Sequence, residues 1–291
     1  MAISFSLSIG CNRDQYPHSA DIRRDSIVAT DAYGTRVAVP TPPVRIVSLA
    51  PNLTEIIFAL GAENILVGDT RYCTYPAAAQ SITKVGDLQT PNYELISALK
   101  PDVMFMSFSG NMPEAYEKAR GLGLRPFLVS SKSIEDIEMA IITMAHVLGR
   151  DSAGKVISSV MCNAVDSLRA ASQRHAPVDA VILLSANPLV AVGNGFLDEA
   201  LAIAGCRNVA HNNIVAYPQL NREALVADRP KVIFVPTDVK ESTDELWHMF
   251  PEWRTLRASG TRIVRIDADP LSRPGPRIVR GIAAMMEALV E

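Results

Sequence analysis

Residues 45–61, Arg45-Ile-Val-Ser-Leu-Ala-Pro-Asn-Leu-Thr-Glu-Ile-Ile-Phe-Ala-Leu-Gly61, read as a buried strand, a tight turn and a capped helix. Ile46 to Leu49 are mostly β-favouring and apolar, as in a strand covered on both faces. Asn52 with Glu55 three residues on reads as an N-cap with an acidic partner. Leu53, Ile56, Ile57 and Leu60 then share one helical face, and Gly61 stops the helix. A strand that feeds a helix through a short turn aims the helix N-terminus at the carboxyl edge of a sheet. In open α/β sheets ligands bind at that edge, so the segment suggests both a fold class and a place to search.

The rest of the composition is that of a globular protein. The 291 residues suffice for one or two domains. Hydrophobic residues make up 48% and charged residues 20%. A net charge of -3 gives no footing for nucleic acid. No apolar run reaches the ~20 residues that cross a bilayer. Cys11, Cys73, Cys162 and Cys206 lie far apart with no Cys-x-x-Cys, so neither a disulfide framework nor a zinc site is expected. Met1 to Gly10 is small, apolar and uncharged, and leads into Cys11. That pattern reads as the end of a secretory segment before a lipoprotein cleavage cysteine, with the true start upstream and Cys11 as the lipidation site. Residues 12–30 are polar and aperiodic and suit a tether.

Working outward, strand and helix patterns alternate with short links, which predicts a doubly wound parallel sheet. Asp31 to Pro40 reads as a hairpin or edge strand. Strands are expected at Ile65 to Gly68, Val103 to Met106 and Pro126 to Val129, and helices at Tyr93 to Leu99 and Pro113 to Gly121. Ser133-Ile-Glu-Asp136 caps a further helix that ends at Gly149. From 151 to 175 one helical pattern runs unbroken, with Val156, Val160, Met161, Ala164, Leu168 and Ala171 at threes and fours. After Pro177 the alternation restarts. The expected architecture is two doubly wound α/β lobes joined by a single long rigid helix. The segments are a tether over 1–30, a first lobe over 31–150, the helix over 151–176 and a second lobe over 177–291.

An internal repeat supports two lobes. Glu94-Leu-Ile-Ser-Ala-Leu-Lys-Pro-Asp-Val-Met-Phe-Met106 aligns with Glu223-Ala-Leu-Val-Ala-Asp-Arg-Pro-Lys-Val-Ile-Phe-Val235. Asn92 and Asn221 sit two residues before the glutamates as matching N-caps. The lobes therefore face each other across a cleft.

Catalytic and metal motifs are sparse. There is no Gly-x-Ser-x-Gly, His-Glu-x-x-His or phosphate-loop lysine. Gly193-Asn-Gly195-Phe-Leu-Asp198 has only the first part of a dinucleotide fingerprint. The five histidines fall on different elements, so no resident metal or cofactor is expected. Aromatic and polar residues gather instead where strands end: Tyr72 and Tyr75, Phe108, Tyr217, and Asp269 to Arg277 after the last strand. Aromatic faces with a few polar groups suit a large, flat, partly apolar ligand.

On these residues the chain resembles the helical-backbone class of ABC-transporter substrate-binding proteins, which serve cobalamin, haem and ferric siderophores. The likeness covers residues 31–291. It rests on the hairpin from Asp31 to Val39, on Arg45-Ile-Val-Ser-Leu-Ala-Pro-Asn-Leu-Thr-Glu55, and on Leu99-Lys-Pro-Asp102. It runs nearest to the cobalamin-binding branch through Val85 to Leu99, Tyr217 to Leu225 and Asp269 to Ile278. The resemblance implies that Tyr72 and Tyr217 face the corrin ring and that Asp269 and Arg273 are polar contacts. Asn52, Tyr75, Leu88 and Phe108 complete the expected ligand site. Leu88 and Ser107 stand where that branch has tryptophans, and a ferric siderophore or haem would fit the same cleft. It further implies that Glu94 and Glu223 dock on a membrane permease with its ATPase. The protein would then sit in the periplasm or at the outer face of the cytoplasmic membrane, held by a lipid anchor only. The alternative is a metallocofactor enzyme on the same bilobal plan. It needs Cys or His ligands at the lobe interface, where Cys73 is the candidate, with Cys162 in the long helix and Cys206 at a helix end.

Overall fold

A computed structural model describes residues 25–108, 111, 113–212 and 215–290. Cys11 and the expected leader lie outside the described residues. The body begins with a hairpin, β1 (Ser26–Thr30) against β2 (Arg36–Pro40). Asp31 closes it, its Oδ1 accepting from the Tyr33 and Thr35 amides at 2.9 Å each. Residues 26–30 therefore belong to the folded body and not to the expected tether.

The first lobe alternates β3 (Ile46–Ser48), α1 (Pro51–Ala59), β4 (Leu66–Gly68), α2 (Tyr93–Leu99), β5 (Val103–Ser107), α3 (Pro113–Gly121), β6 (Pro126–Val129) and α4 (Ile134–Val147). Its four strands are parallel in the order β4-β3-β5-β6. Then α5 (Asp151–Ser172), 22 residues long and about 33 Å, leads to the second lobe. That lobe holds β7 (Val178–Ala186), β8 (Leu189–Ala191), α6 (Phe196–Ile203), β9 (Cys206–Asn208), α7 (Arg222–Asp228), β10 (Val232–Pro236), α8 (Thr243–Met249), α9 (Arg254–Ala258), β11 (Arg262–Ile266), α10 (Ala268–Ser272) and α11 (Ile278–Val290). Its parallel strands run β9-β7-β10-β11, the same order as in the first lobe. The expected parallel sheets are present, with one antiparallel addition. β7 is nine residues long and outruns its parallel partners, and β8 pairs antiparallel with its far end.

The repeat seen in the sequence is also a repeat of backbone geometry. Asn92 Oδ1 accepts from the Leu95 amide at 3.0 Å, and Asn221 Oδ1 accepts from the Glu223 amide at 3.0 Å. Each helix then ends on a basic residue in the left-handed region, Lys100 at φ 48° and Arg229 at φ 49°. These are the only positive-φ residues other than glycine among the described residues.

Period-2 alternation along the central strands divides the interior into layers. Ile46, Val103 and Phe105 of the first lobe and Ala180, Ile182, Val232 and Phe234 of the second point to one common core, together with α1, α4, α5, α6 and α11. Their neighbours Val47, Met104 and Met106 face an outer cluster of the first lobe. Val181, Leu183, Ile233 and Val235 face one in the second. The long helix that joins the lobes is thus backed by a core that they share. The expected stripe on α5 is corrected in part. Met161 is buried and Leu168 packs against the core as expected, but Val156 and Val160 are 63% and 65% exposed, and Gly154, Ser158 and Val165 are buried. Small residues line the buried face because α4 comes close: a Cβ on Gly154 would lie 2.3 Å from that of Ala145.

Candidate functional site

A cleft of about 450 Å³ opens between the lobes. Ala50 and Ser107, at the carboxyl ends of neighbouring β3 and β5, line one side. Asp238 beyond β10 and Ala268 and Asp269 beyond β11 line the other. In the first sheet β3 and β5 flank the point where the chain order reverses, the usual ligand crevice of such sheets.

Of the residues expected to meet ligand, Asn52, Tyr72, Leu88, Tyr217, Asp269 and Arg273 line this cleft. Tyr72 and Tyr217 are half-exposed, at 50% and 43%. Tyr75 and Phe108 are not among the lining residues. The Arg277 guanidinium lies 3.6 Å from the centre of the Tyr75 ring. Phe108 packs edge-on to Tyr33 and carries the Lys132 ammonium 3.8 Å from its centroid. Both rings are engaged by cations that their own sequence neighbourhood does not announce. Phe196, Asp238 and Ser272 line the cleft as well. Phe196 carried a sequence signal, since it opens a helix directly after the Gly193–Gly195 turn.

The capping reading of Asn52 and Glu55 is corrected. The helix N-cap is Ala50, with Pro51 in the first turn and no side-chain cap. Asn52 is buried, and its amide donates to the Pro274 carbonyl at 3.2 Å, across the lobe interface. Glu55, with a side chain 3% exposed, accepts from Arg277 at 2.8 and 2.6 Å and from Arg273 at 3.2 Å. Arg273 also reaches Thr74 at 3.0 Å and Asp269 at 2.9 Å. Two carboxylates and two guanidiniums thus make a neutral clamp between the lobes. On the α5 side, Glu199 of α6 accepts from the Ile134 amide at the start of α4, at 2.8 Å, a favourable place for an anion.

Beneath the wall that carries Tyr72 lies a second polar group. Asp69 is fully buried, with Lys84 Nζ at 2.7 Å from Oδ1. Cys73 is 1% exposed, its sulfur 3.2 Å from the hydroxyls of both Thr54 and Thr70. Burial raises the thiol pKa. The thiol is enclosed and does not reach the cleft, so Cys73 does not supply the interface ligand that the enzyme alternative requires. Cys206 opens β9 and is also buried. Among the described residues no three His, Cys, Asp or Glu side chains converge as a metal set. No helix among them is long and apolar enough to cross a membrane.

Burial pushes the Asp69 carboxyl up from 3.8 to about 6, against the pull of the Lys84 ammonium. Between those pH values the folded chain holds a proton that the unfolded chain has released. The contribution is full below 3.8 and disappears as pH rises through about 6. It is worth up to about 3 kcal/mol. Urea unfolding at pH 4.5 and 7.5 tests this. Asp69→Asn should gain stability over wild type on going to pH 7.5, and parallel pH profiles would count against the assignment. Glu55→Gln leaves two inward guanidiniums short of their shared charge and should lower the unfolding free energy by about 3 kcal/mol. A loss under 1 kcal/mol at neutral pH would mean that the clamp contributes little.

A family profile described as periplasmic binding protein matches residues 46–269. The vitamin B12-binding protein of Vibrio cholerae serotype O1 is 29% identical over 249 residues, 84% of this chain and 89% of that protein. The crystal structure of the periplasmic vitamin B12 binding protein of Vibrio cholerae superposes with a TM-score of 0.77 at 27% identity, covering 86% of this chain and 97% of that one. A periplasmic haem-binding protein solved with two haems superposes with a TM-score of 0.76 at 24% identity, over 84% of this chain. At that identity it speaks to the fold alone. A profile match over most of the folded body makes the chain a member of the periplasmic binding protein family.

Proposed function

We propose that the protein captures cobalamin or another corrinoid between its lobes and delivers it to the permease of an ABC importer. The observation that carries this reading is the chemistry of the cleft wall. Tyr72 and Tyr217 offer ring faces, and Leu88 and Phe196 offer apolar surface. Among the lining residues the charged groups are Asp238, Asp269 and Arg273. The Arg273 guanidinium is already bonded to Glu55, Thr74 and Asp269. Such a wall favours a flat ligand that is neutral or cationic and donates hydrogen bonds, as the amide-fringed corrins do. It disfavours an anionic chelate, which would need an unspent cation. The similarity to vitamin B12-binding proteins points the same way. In this reading Asn52, Asp269 and Arg273 orient the ligand while Tyr72 and Tyr217 stack on it.

Glu94 and Glu223 are both exposed in the first turns of α2 and α7. We assign them to docking on basic residues of the permease, one per lobe. Cys11 is assigned as a lipid attachment site holding the protein at the outer face of the cytoplasmic membrane.

Titration of the purified protein with cyanocobalamin, haemin and ferric siderophores tests the reading. Cyanocobalamin should bind below ~10 μM and more tightly than the anionic chelates, a span of at least ~1.4 kcal/mol for each tenfold. Preference for haemin or a siderophore would overturn the ligand assignment. The Glu94→Ala and Glu223→Ala double variant should keep its ligand affinity and lose transporter binding by about tenfold or more. Loss of ligand binding would remove the glutamates from the docking role.

A further inference from the structure

The wall that presents Tyr72 has little regular structure. Between Gly68 at the end of β4 and Tyr93 at the start of α2 the chain makes one 3₁₀ turn, Ala77–Ser81. Tyr72 is nevertheless aimed into the cleft; a lone parallel bridge between Asp69 and Lys84 and the bond from the Arg71 amide to the Gly86 carbonyl hold the start of the segment, and the stretch beyond Arg71 needs further support. The side chain of Lys84 supplies it from behind. Its ammonium donates to Asp69 Oδ1 at 2.7 Å, to the Ala79 carbonyl at 2.9 Å and to the Cys73 carbonyl at 3.2 Å. An ammonium has three donors, and all three are spent within this one segment. Cys73 directly follows Tyr72: its amide donates to the Thr70 carbonyl at 3.0 Å, and the bond from Lys84 to its carbonyl pins the next peptide, so the chain is held on the far side of the tyrosine. The anchor of the array is Asp69, fully buried, whose second oxygen has no hydrogen-bond partner. A carboxylate in that state needs the ammonium beside it.

We propose that Lys84 is a positioning residue for ligand capture: it staples residues 69–79 so that Tyr72 meets the ligand already in place. Lys84 does not line the cleft, so it acts through Tyr72 and not by touching ligand. The inference rests on the corrinoid reading for its binding readout and on the free protein for its ordering readout. A preset ring is bound at lower cost, because its side chain and loop need not be ordered on association.

The test uses Lys84→Met combined with Asp69→Asn, which removes the ammonium without stranding a buried carboxylate. A second pair, Lys84→Gln with Asp69→Asn, keeps an uncharged amide donor group in place should the first pair fold poorly. Hydrogen exchange of the free protein should quicken at least tenfold over residues 71–79 in the first pair and by less in the second, with β5 unchanged. Cyanocobalamin affinity should fall about tenfold in the first pair. Added to Tyr72→Ala, the same pair should cost less than a further twofold, because the two changes act through one ring. Unchanged exchange over 71–79 overturns the staple whatever the ligand. Losses that add fully in the Tyr72→Ala background overturn the route through Tyr72. A wild-type protein that fails to bind cyanocobalamin overturns the corrinoid reading instead, and the exchange result alone then decides the staple.

Discussion

Glu55 is one carboxylate shared by two arginines of the opposite lobe, and the rest of the molecule is arranged around keeping it paired. Its side chain is 3% exposed, so water cannot solvate the charge. Only Arg273 and Arg277 can, and both come from the stretch that follows α10. Removing either arginine while the seam stays closed would leave a buried anion short of its partner, which costs more than the pair itself is worth. The same network builds the cleft. Arg273 reaches Thr74 and Asp269, and Arg277 flattens against Tyr75. The site and the seam between lobes are thus one electrostatic unit.

That arrangement explains what a single sequence discloses and what it hides. Ile46, Val103 and Val232 announce buried strands because two-sided burial needs unbroken apolar runs. Asn92 and Asn221 announce their helices because capping is a local exchange of hydrogen bonds, complete within four residues. Asn52 and Glu55 use the same residue types, three residues apart instead of two, yet they serve partners in the other lobe. Nothing local separates a cap from a long-range pair. Part of the α5 face is hidden from the sequence for a related reason. Apolarity suggested Val156 and Val160, but close helix approach rewards Gly154 and Ser158, whose small size counts for more than their hydrophobicity. In the cleft, Tyr72 and Tyr217 were legible from their place at the carboxyl edge. Tyr75 and Phe108 share that place and carry Arg277 and Lys132 on their rings, cations brought in by the fold.

The shared core bears on how a ligand would enter. Hinged proteins with separate cores reorganise on binding and spend part of the interaction energy on closure. Here α4, α5, α6 and α11 pack side chains from both lobes into a single cluster, and Glu199 ties α6 to the start of α4. A cleft held open by such a frame changes shape mainly through its walls. This is where the segment around Tyr72, with its single helical turn, differs from everything beneath it.

Lys100 and Arg229 mark the same step in the two lobes. Each is a basic residue in the left-handed region immediately before a proline, at the end of a helix that an asparagine caps. Left-handed backbone at a residue other than glycine is disfavoured by about 1–2 kcal/mol. Its recurrence at the same step of the same strand order means that both lobes accept that cost to turn the chain from helix to strand in the same way. The two turns also set Glu94 and Glu223 at equivalent places, each in the first turn of the helix that precedes its turn.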